Sequence, residues 1–207
     1  MLPNDEPLAM TNSRENLDRL LTAMIEQPER RTELVQQVEA AFGQDKAVMV
    51  LDMSGFSRTT QRHGIVLFLL MIHQMTLIAR PSVETHGGLL VKSEADNLFC
   101  LFDTVLAAIQ ASQEITSRLN VANILLPEDR RLYVSIGIGY GRILNIANEE
   151  VYGNEVNLAS KLGEDVAEMA QILLTSAAAA QAKDAGLKLT EQAVSISGLS
   201  LPYFRLA

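Results

Sequence analysis

Apolar positions fall first into two helical stretches and then into short runs that alternate with longer helical ones. Leu17, Leu20, Leu21, Met24 and Ile25 recur at three- and four-residue intervals, which predicts a helix, and Asn12 with Glu15 has the spacing of a capping box at its start. Pro28 breaks the pattern. Leu34, Val35, Val38, Ala41 and Phe42 then share one face of a second helix, with Gly43 as its stop. Residues 1–45 therefore read as an N-terminal helical pair, either a structural cap or a segment for interaction or signal input, followed by one larger domain over residues 46–207.

From Lys46 the texture changes. Ala47 to Leu51 is a continuous apolar run suited to a central strand, and Phe56 to about Thr85 reads as a buried helix bent near Pro81 and ended by Gly87-Gly88. Leu89 to Lys92 and Leu98 to Phe102 are strand-like and flank a hairpin turn at residues 93–97. Thr104 to Leu119 is helical with Asp103 as the expected cap. Leu132, Val134, Ile136 and Ile138 alternate with polar or small residues as a half-buried strand should, and another strand is expected at Ile143 to Ile146. Asn154 to Met169 reads as helix, Ile172 to Thr175 as strand, Ser176 to Ala185 as an Ala-rich helix and Leu187 to Leu206 as further β structure. The order βαββαβ is that of an α+β, ferredoxin-like sheet covered by helices, with additional C-terminal β elements.

That topology makes the first and third strands antiparallel neighbours, so the end of one lies beside the start of the other. Asp52 and Asp96 would meet there. Two carboxylates so placed repel unless a proton or cation sits between them, and hard oxygen ligands suit Mg²⁺ or Mn²⁺. The alternative is that Asp52 caps the following helix and Asp96 only makes its turn.

The chain has 207 residues, 17 basic against 25 acidic, for a formal net charge of −8. An acidic balance argues against broad binding to a phosphate backbone, so nucleic acid is not an expected partner. Cys100 stands alone and cannot form an internal disulfide; Asp5 and Glu6, without a basic stretch, do not make a signal peptide. The longest apolar run, Ile65 to Ile72, is shorter than the ~20 residues of a membrane span and is closed by His73 and Gln74. These features point to a cytoplasmic location without a membrane span. His63, His73 and His86 lack i, i+4 pairing, which argues against zinc. Gly137, Gly139 and Gly141 lie inside an alternating strand and read as strand packing, not as a dinucleotide loop.

Three blocks carry a resemblance. Val48-Met49-Val50-Leu51-Asp52-Met53-Ser54-Gly55-Phe56-Ser57 resembles the opening strand and metal loop of class III nucleotide cyclases, the adenylate/guanylate cyclase catalytic domain. Val91-Lys92-Ser93-Glu94-Ala95-Asp96 is similar to that family's second metal hairpin, and Tyr152-Gly153-Asn154-Glu155-Val156-Asn157-Leu158-Ala159-Ser160-Lys161 to its transition-state helix. Order and spacing agree over roughly residues 46 to 206.

The resemblance implies that Asp52 and Asp96, with the Met53 carbonyl, hold two Mg²⁺ or Mn²⁺ ions, and that Ser54, Gly55, Phe56 and Ser57 receive the phosphates. It implies purine recognition by Lys92 and Glu150, the latter standing where adenylate-forming members usually have an aspartate. It gives Asn157 the ribose and Lys161 the charge on the reacting phosphate. Lys161 replaces the usual arginine and keeps the charge without the bidentate fork, which implies weaker activity. Arg205 is the only basic residue between Gly198 and Ala207, where the family often has a lysine for the triphosphate, and Glu94-Ala95-Asp96 stands where a Gly-Asp pair is common. The expected activity is conversion of ATP, less readily GTP, to a 3′,5′-cyclic nucleotide and pyrophosphate by a homodimer with composite sites. The alternative is a cyclase-like domain, weak or inactive, that binds nucleotide or dimerises to regulate.

Overall fold

The run Ala47–Leu51 is fully buried and sits inside the strand around which the fold is built, β1 (Gly43–Met53). The computed structural model describes residues 11–54, 64–196 and 199–206. Before β1 stand α1 (Arg14–Glu26) and α2 (Arg31–Phe42); after it come α3 (Ile65–Thr85), β2 (Leu89–Glu94), β3 (Asn97–Phe102), α4 (Val105–Asn123) and β4 (Val134–Ile146). The chain continues through β5 (Glu150–Tyr152), α5 (Asn154–Lys161), β6 (Ile172–Leu174), α6 (Ser176–Asp184), β7 (Leu189–Ile196) and β8 (Leu199–Leu206).

Among the described residues the strands form one eight-stranded sheet in the order β2-β3-β1-β4-β6-β8-β7, with β5 paired to β4. β1 runs antiparallel to both β3 and β4, and α3 and α4 connect the strands as a ferredoxin-like arrangement requires. The expected α+β fold with extra C-terminal strands is therefore present. One face of the sheet buries Met49, Leu51, Met75, Ile115, Ile138 and Leu174 beneath α3, α4 and α6. The other buries Val48, Val50, Phe99, Leu101, Val156 and Ala159 beneath α5. Leu17, Leu20, Leu34, Val38 and Phe42 form a third cluster that closes on Ile146, so the N-terminal pair is attached to the end of β4.

Local expectations needed several corrections. Ser13, not Asn12, caps α1, accepting the Asn16 N–H at 3.2 Å. Asn12 instead reaches β4, its Nδ2 donating to the Asn145 carbonyl at 2.9 Å and its Oδ1 accepting the Ala147 N–H at 2.7 Å. Thr104 caps α4 by accepting the Ala107 N–H, leaving Asp103 to pair with Lys46. β4 is a single 13-residue strand where two were expected, and β5 was not expected. The helix expected over residues 154–169 stops at Lys161 and passes into a π-helical turn, Leu162–Val166.

The apolar stretch 65–72 of α3 was expected to be mostly core, with some of it serving a dimer face. α3 runs through Pro81, buries Phe68, Met71, Met75, Ala79 and Val83, and leaves Ile65, Val66, Leu69, Leu70 and Leu77 exposed. Its 21 residues are long and apolar enough for a membrane span, although one face is committed to the core. The part of that expected helix over residues 56–63 lies outside the described residues.

Candidate active site

Asp52 lies one residue from the end of β1, with Asn97 of β3 opposite it on one side and Ser135 of β4 on the other. Asp96 occupies the two-residue turn between β2 and β3, where Ala95 takes the left-handed conformation at φ +51°. Antiparallel pairing of β1 with β3 thus brings the two aspartates to one edge. Asp52 is half-buried and Asp96 is 9% exposed. Burial first, then the charges of Asp96, Glu164 and Asp165, push the Asp52 carboxyl up to about 7. Burial also raises Asp96.

Glu164 and Asp165 had no role in the sequence reading, which placed them on a continuous helix. Their charges act on Asp52 from the π-helical turn, which lies directly on the sheet backbone. A Cβ on Gly137 would stand 2.0 Å from the Ala159 carbonyl oxygen, and one on Gly163 3.0 Å from the Val50 carbonyl oxygen. Two glycines facing each other across that crossing are what allow the approach, and a Gly137–Gly163 match was the available sequence signal. The Asn97 side-chain amide donates to Glu164 Oε1 at 3.1 Å. Burial raises the Glu164 carboxyl, as do Asp165, Asp96 and Glu94, while Lys161 opposes the shift.

The donor set suits a hard divalent cation. Asp52 and Asp96 offer carboxylate oxygens in a half-desolvated place where their negative charge is unfavourable, and among the described residues no cation pairs with either. No group of three or more His, Cys, Asp or Glu side chains forms a metal set among those residues, so the pair would need backbone carbonyl, water or phosphate oxygens to complete a shell. Met53 is buried opposite Val134. The Ser54 N–H donates to the Tyr133 carbonyl at 2.9 Å, and its Oγ lies 3.2 Å from Ser135 Oγ. Gly55, Phe56 and Ser57 lie outside the described residues.

Lys92 sits on β2 where the register with β3 shifts between Leu90 and Lys92, an irregularity of the kind that re-aims a side chain. Its Nζ donates to Glu94 Oε2 at 2.8 Å and to Glu150 Oε2 at 3.1 Å, and it stands 4.9 Å from the Phe99 ring centroid. The Glu94 hydrogen bond raises the Lys92 ammonium, with Glu150 adding to it, and the same contact lowers Glu94. Glu150 opens β5 after a turn in which Ala147 and Asn148 have φ of +54° and +60°.

Asn157 is exposed on α5, and Lys161 follows four residues later on the same helix face. Lys161 Nζ lies 3.0 Å from Asp165 Oδ2 in an exposed pair. Glu155 turns inward, accepting from the Tyr140 N–H at 3.1 Å and the Thr175 hydroxyl at 2.7 Å. Asp52 is thus found near Asp96, Lys92 bonded to Glu150, and Asn157 on one face with Lys161.

No family model matches the chain. Among curated proteins, "Putative adenylate cyclase 3" of Rhizobium meliloti is 25% identical over 116 residues, covering 56% of this chain and 20% of its own length. The chain therefore spans about a fifth of that relative. Among solved structures, the guanylyl cyclase Cya2 superposes with a TM-score of 0.68 at 20% identity, over 80% of this chain and 92% of its own. An adenylate/guanylate cyclase/hydrolase from Silicibacter pomeroyi gives 0.65 at 24% identity, over 80% of this chain and 97% of its own. With the sheet order and the aspartate edge described above, these likenesses establish that the chain has the fold of the adenylate/guanylate cyclase catalytic domain.

Proposed function

We propose that this chain is a nucleotide cyclase domain that converts ATP, and less readily GTP, to the 3′,5′-cyclic nucleotide and pyrophosphate. The observation that carries the reading is the meeting of Asp52 and Asp96 at one edge of a cyclase-type sheet, at a cost in charge repulsion that a structural role would not require. Mg²⁺ or Mn²⁺ bound there, two ions per site, would make the ribose 3′-hydroxyl more acidic and neutralise the triphosphate. Asp52, Asp96 and the Met53 carbonyl are the proposed ligands.

The remaining roles belong to binding and orientation. Gly55, Phe56 and Ser57 receive phosphate oxygens through backbone N–H groups, and Ser54, whose own N–H is held by the Tyr133 carbonyl, through its hydroxyl. Lys92 donates to adenine N1 while Glu150 accepts from the 6-amino group, a complementary pair of hydrogen bonds. Asn157 orients the ribose, and Lys161 sets its positive charge against the negative charge that develops on the reacting phosphate. In this reading the site is composite: the aspartates of one copy face Lys92, Glu150, Asn157 and Lys161 of the second, so a symmetric homodimer carries two sites. A cytoplasmic location belongs to the same proposal.

Incubation with ATP or GTP and Mn²⁺, followed by product analysis, tests the reaction. Cyclic nucleotide that disappears in Asp52→Asn and in Asp96→Asn supports it; no cyclic product from the parent with either triphosphate overturns it. Mixing inactive Asp52→Asn with inactive Asn157→Ala restores one intact site per mixed dimer, and mixed dimers without any recovered activity would sink the composite arrangement. One observation favours the weaker alternative, a regulatory cyclase-like module: Lys161 is paired with Asp165 and must leave it to meet a phosphate. Tight nucleotide binding without turnover would decide for that reading.

A further inference from the structure

Lys92 is held by two carboxylates, and the sequence reading gave only one of them a place in base recognition. Glu94 lies two residues from Lys92, so both project from the same side of β2. Its contact is the shorter of the two, 2.8 Å against 3.1 Å for Glu150. Lys92 is also the least exposed of the three, its side chain 22% accessible against 37% for Glu150 and 67% for Glu94. The ammonium is thus fixed from the strand side by Glu94, from the β5 side by Glu150, and from below by the Phe99 ring.

From this geometry we infer that Glu94 is a specificity-setting positioning residue, one that holds Lys92 where it meets adenine and resists the shift that guanine requires. The inference rests on the proposed role of Lys92 and Glu150. An ammonium carries three N–H donors. Glu94 and Glu150 take two, which leaves one for the base. Adenine offers N1 as acceptor beside its amino donor, and that single donor together with the second Glu150 oxygen satisfies both. Guanine presents O6 as acceptor and N1–H as donor, so Lys92 must move from position 1 to the 6-substituent and Glu150 the opposite way. A lysine on its flexible four-carbon stem follows that movement readily. One tied to a carboxylate of its own strand has to break the shorter of its two ion pairs first.

Kinetics of Glu94→Ala and Glu94→Gln with ATP and GTP test this. Expected is a roughly two- to fivefold fall in the ATP:GTP ratio of kcat/KM for the alanine variant, the scale of one ion pair with a largely exposed partner. The change falls on KM more than on kcat, because Glu94 acts through base binding. Glutamine keeps the acceptor without the charge and retains most of the preference. Lys92→Ala should lose the preference too, and adding Glu94→Ala to it should change nothing further, since Glu94 acts only through Lys92. A ratio unchanged in Glu94→Ala, in an active and folded protein, overturns the inference. Equilibrium binding of ribose-labelled fluorescent ATP and GTP separates it from the cyclase reading. If the parent forms no cyclic product yet Glu94→Ala shifts the relative affinities, the role of Glu94 stands and the reaction does not. If the parent turns over and neither ratio moves, the reaction stands and the role of Glu94 falls.

Discussion

Replacing Asp52 by asparagine should make the metal-free protein more stable at alkaline pH, although it destroys the proposed metal site. The Asp52 carboxyl lies near 3.8 in an unfolded chain and is pushed up to about 7 in the fold, first by burial and then by Asp96, Glu164 and Asp165. Between those values the folded protein holds a proton that the unfolded chain has released, so stability falls as pH rises through the window and the penalty is complete above it. Three pH units at about 1.4 kcal/mol each give roughly 4 kcal/mol. Asp52 is open to solvent on one side, and screening reduces this to about 1–2 kcal/mol. Asparagine is nearly isosteric and carries no charge. Thermal melts in a chelator at pH 8 should therefore place Asp52→Asn above the parent by about 2–8 °C, and melts at pH 4 should bring the two together. Millimolar Mn²⁺ at pH 8 should then raise the parent and leave the variant unmoved, because only a carboxylate pair gains from binding. An Asp52→Asn protein that melts below the parent by the same margin at both pH values would show that Asp52 is a structural cap, and the site argument would fail.

Three other changes probe the surrounding structure. Ala95 holds a left-handed conformation that favours glycine, so Ala95→Gly should stabilise the protein by about 0.5–1 kcal/mol in denaturant titration, after the added freedom of the unfolded chain is subtracted. Asn12→Ala removes two hydrogen bonds to the β4 end and should cost about 1–2 kcal/mol in the same assay; a loss below 0.3 kcal/mol would mean that the apolar cluster alone holds the N-terminal pair. Lys161→Arg restores a planar fork and should raise cyclic-product turnover by about tenfold, a fraction of what a lost transition-state donor costs, and no gain would mean that lysine is already adapted to its pairing with Asp165.

The parts of the fold legible in the sequence are those set by local pattern. The buried run before Asp52, the alternation along β4 and the helical periodicities of α1, α2 and α4 each follow from which face meets the core, and β1 pairs with β3 and β4 as the βαββαβ order requires. Caps were less legible because neighbouring candidates compete. Asn12 and Ser13 are both good caps, and Ser13 takes the helix while Asn12 finds one partner near the end of β4 and one just past it, 133 and 135 residues away. No local pattern contains that choice. The break in α5 was hidden for a similar reason, since residues 154–169 keep an acceptable helical composition.

What the sequence reading lacked at the site was the consequence of that break. α5 itself already lies against the sheet backbone, where a Cβ on Gly137 would stand 2.0 Å from the Ala159 carbonyl oxygen and one on Gly139 2.6 Å from that of Glu155. Gly137 and Gly163 remove the side chains at the crossing, so backbone approaches backbone and the chain turns down beside the aspartate edge. Glu164 and Asp165 follow Gly163 directly, and their charges therefore fall on Asp52. Lys161 stands four residues before Asp165, and the helical continuation through the π-turn pairs the two, so the cation at this position is already engaged within the chain. Glu164 and Asp165 are exposed and screened by solvent, so most of the electrostatic cost falls on Asp52 and Asp96. That pair is brought together by the β1–β3 register and not by the glycine crossing, and its repulsion is relieved by a proton, as the raised Asp52 carboxyl shows, or by the cation of the proposed site.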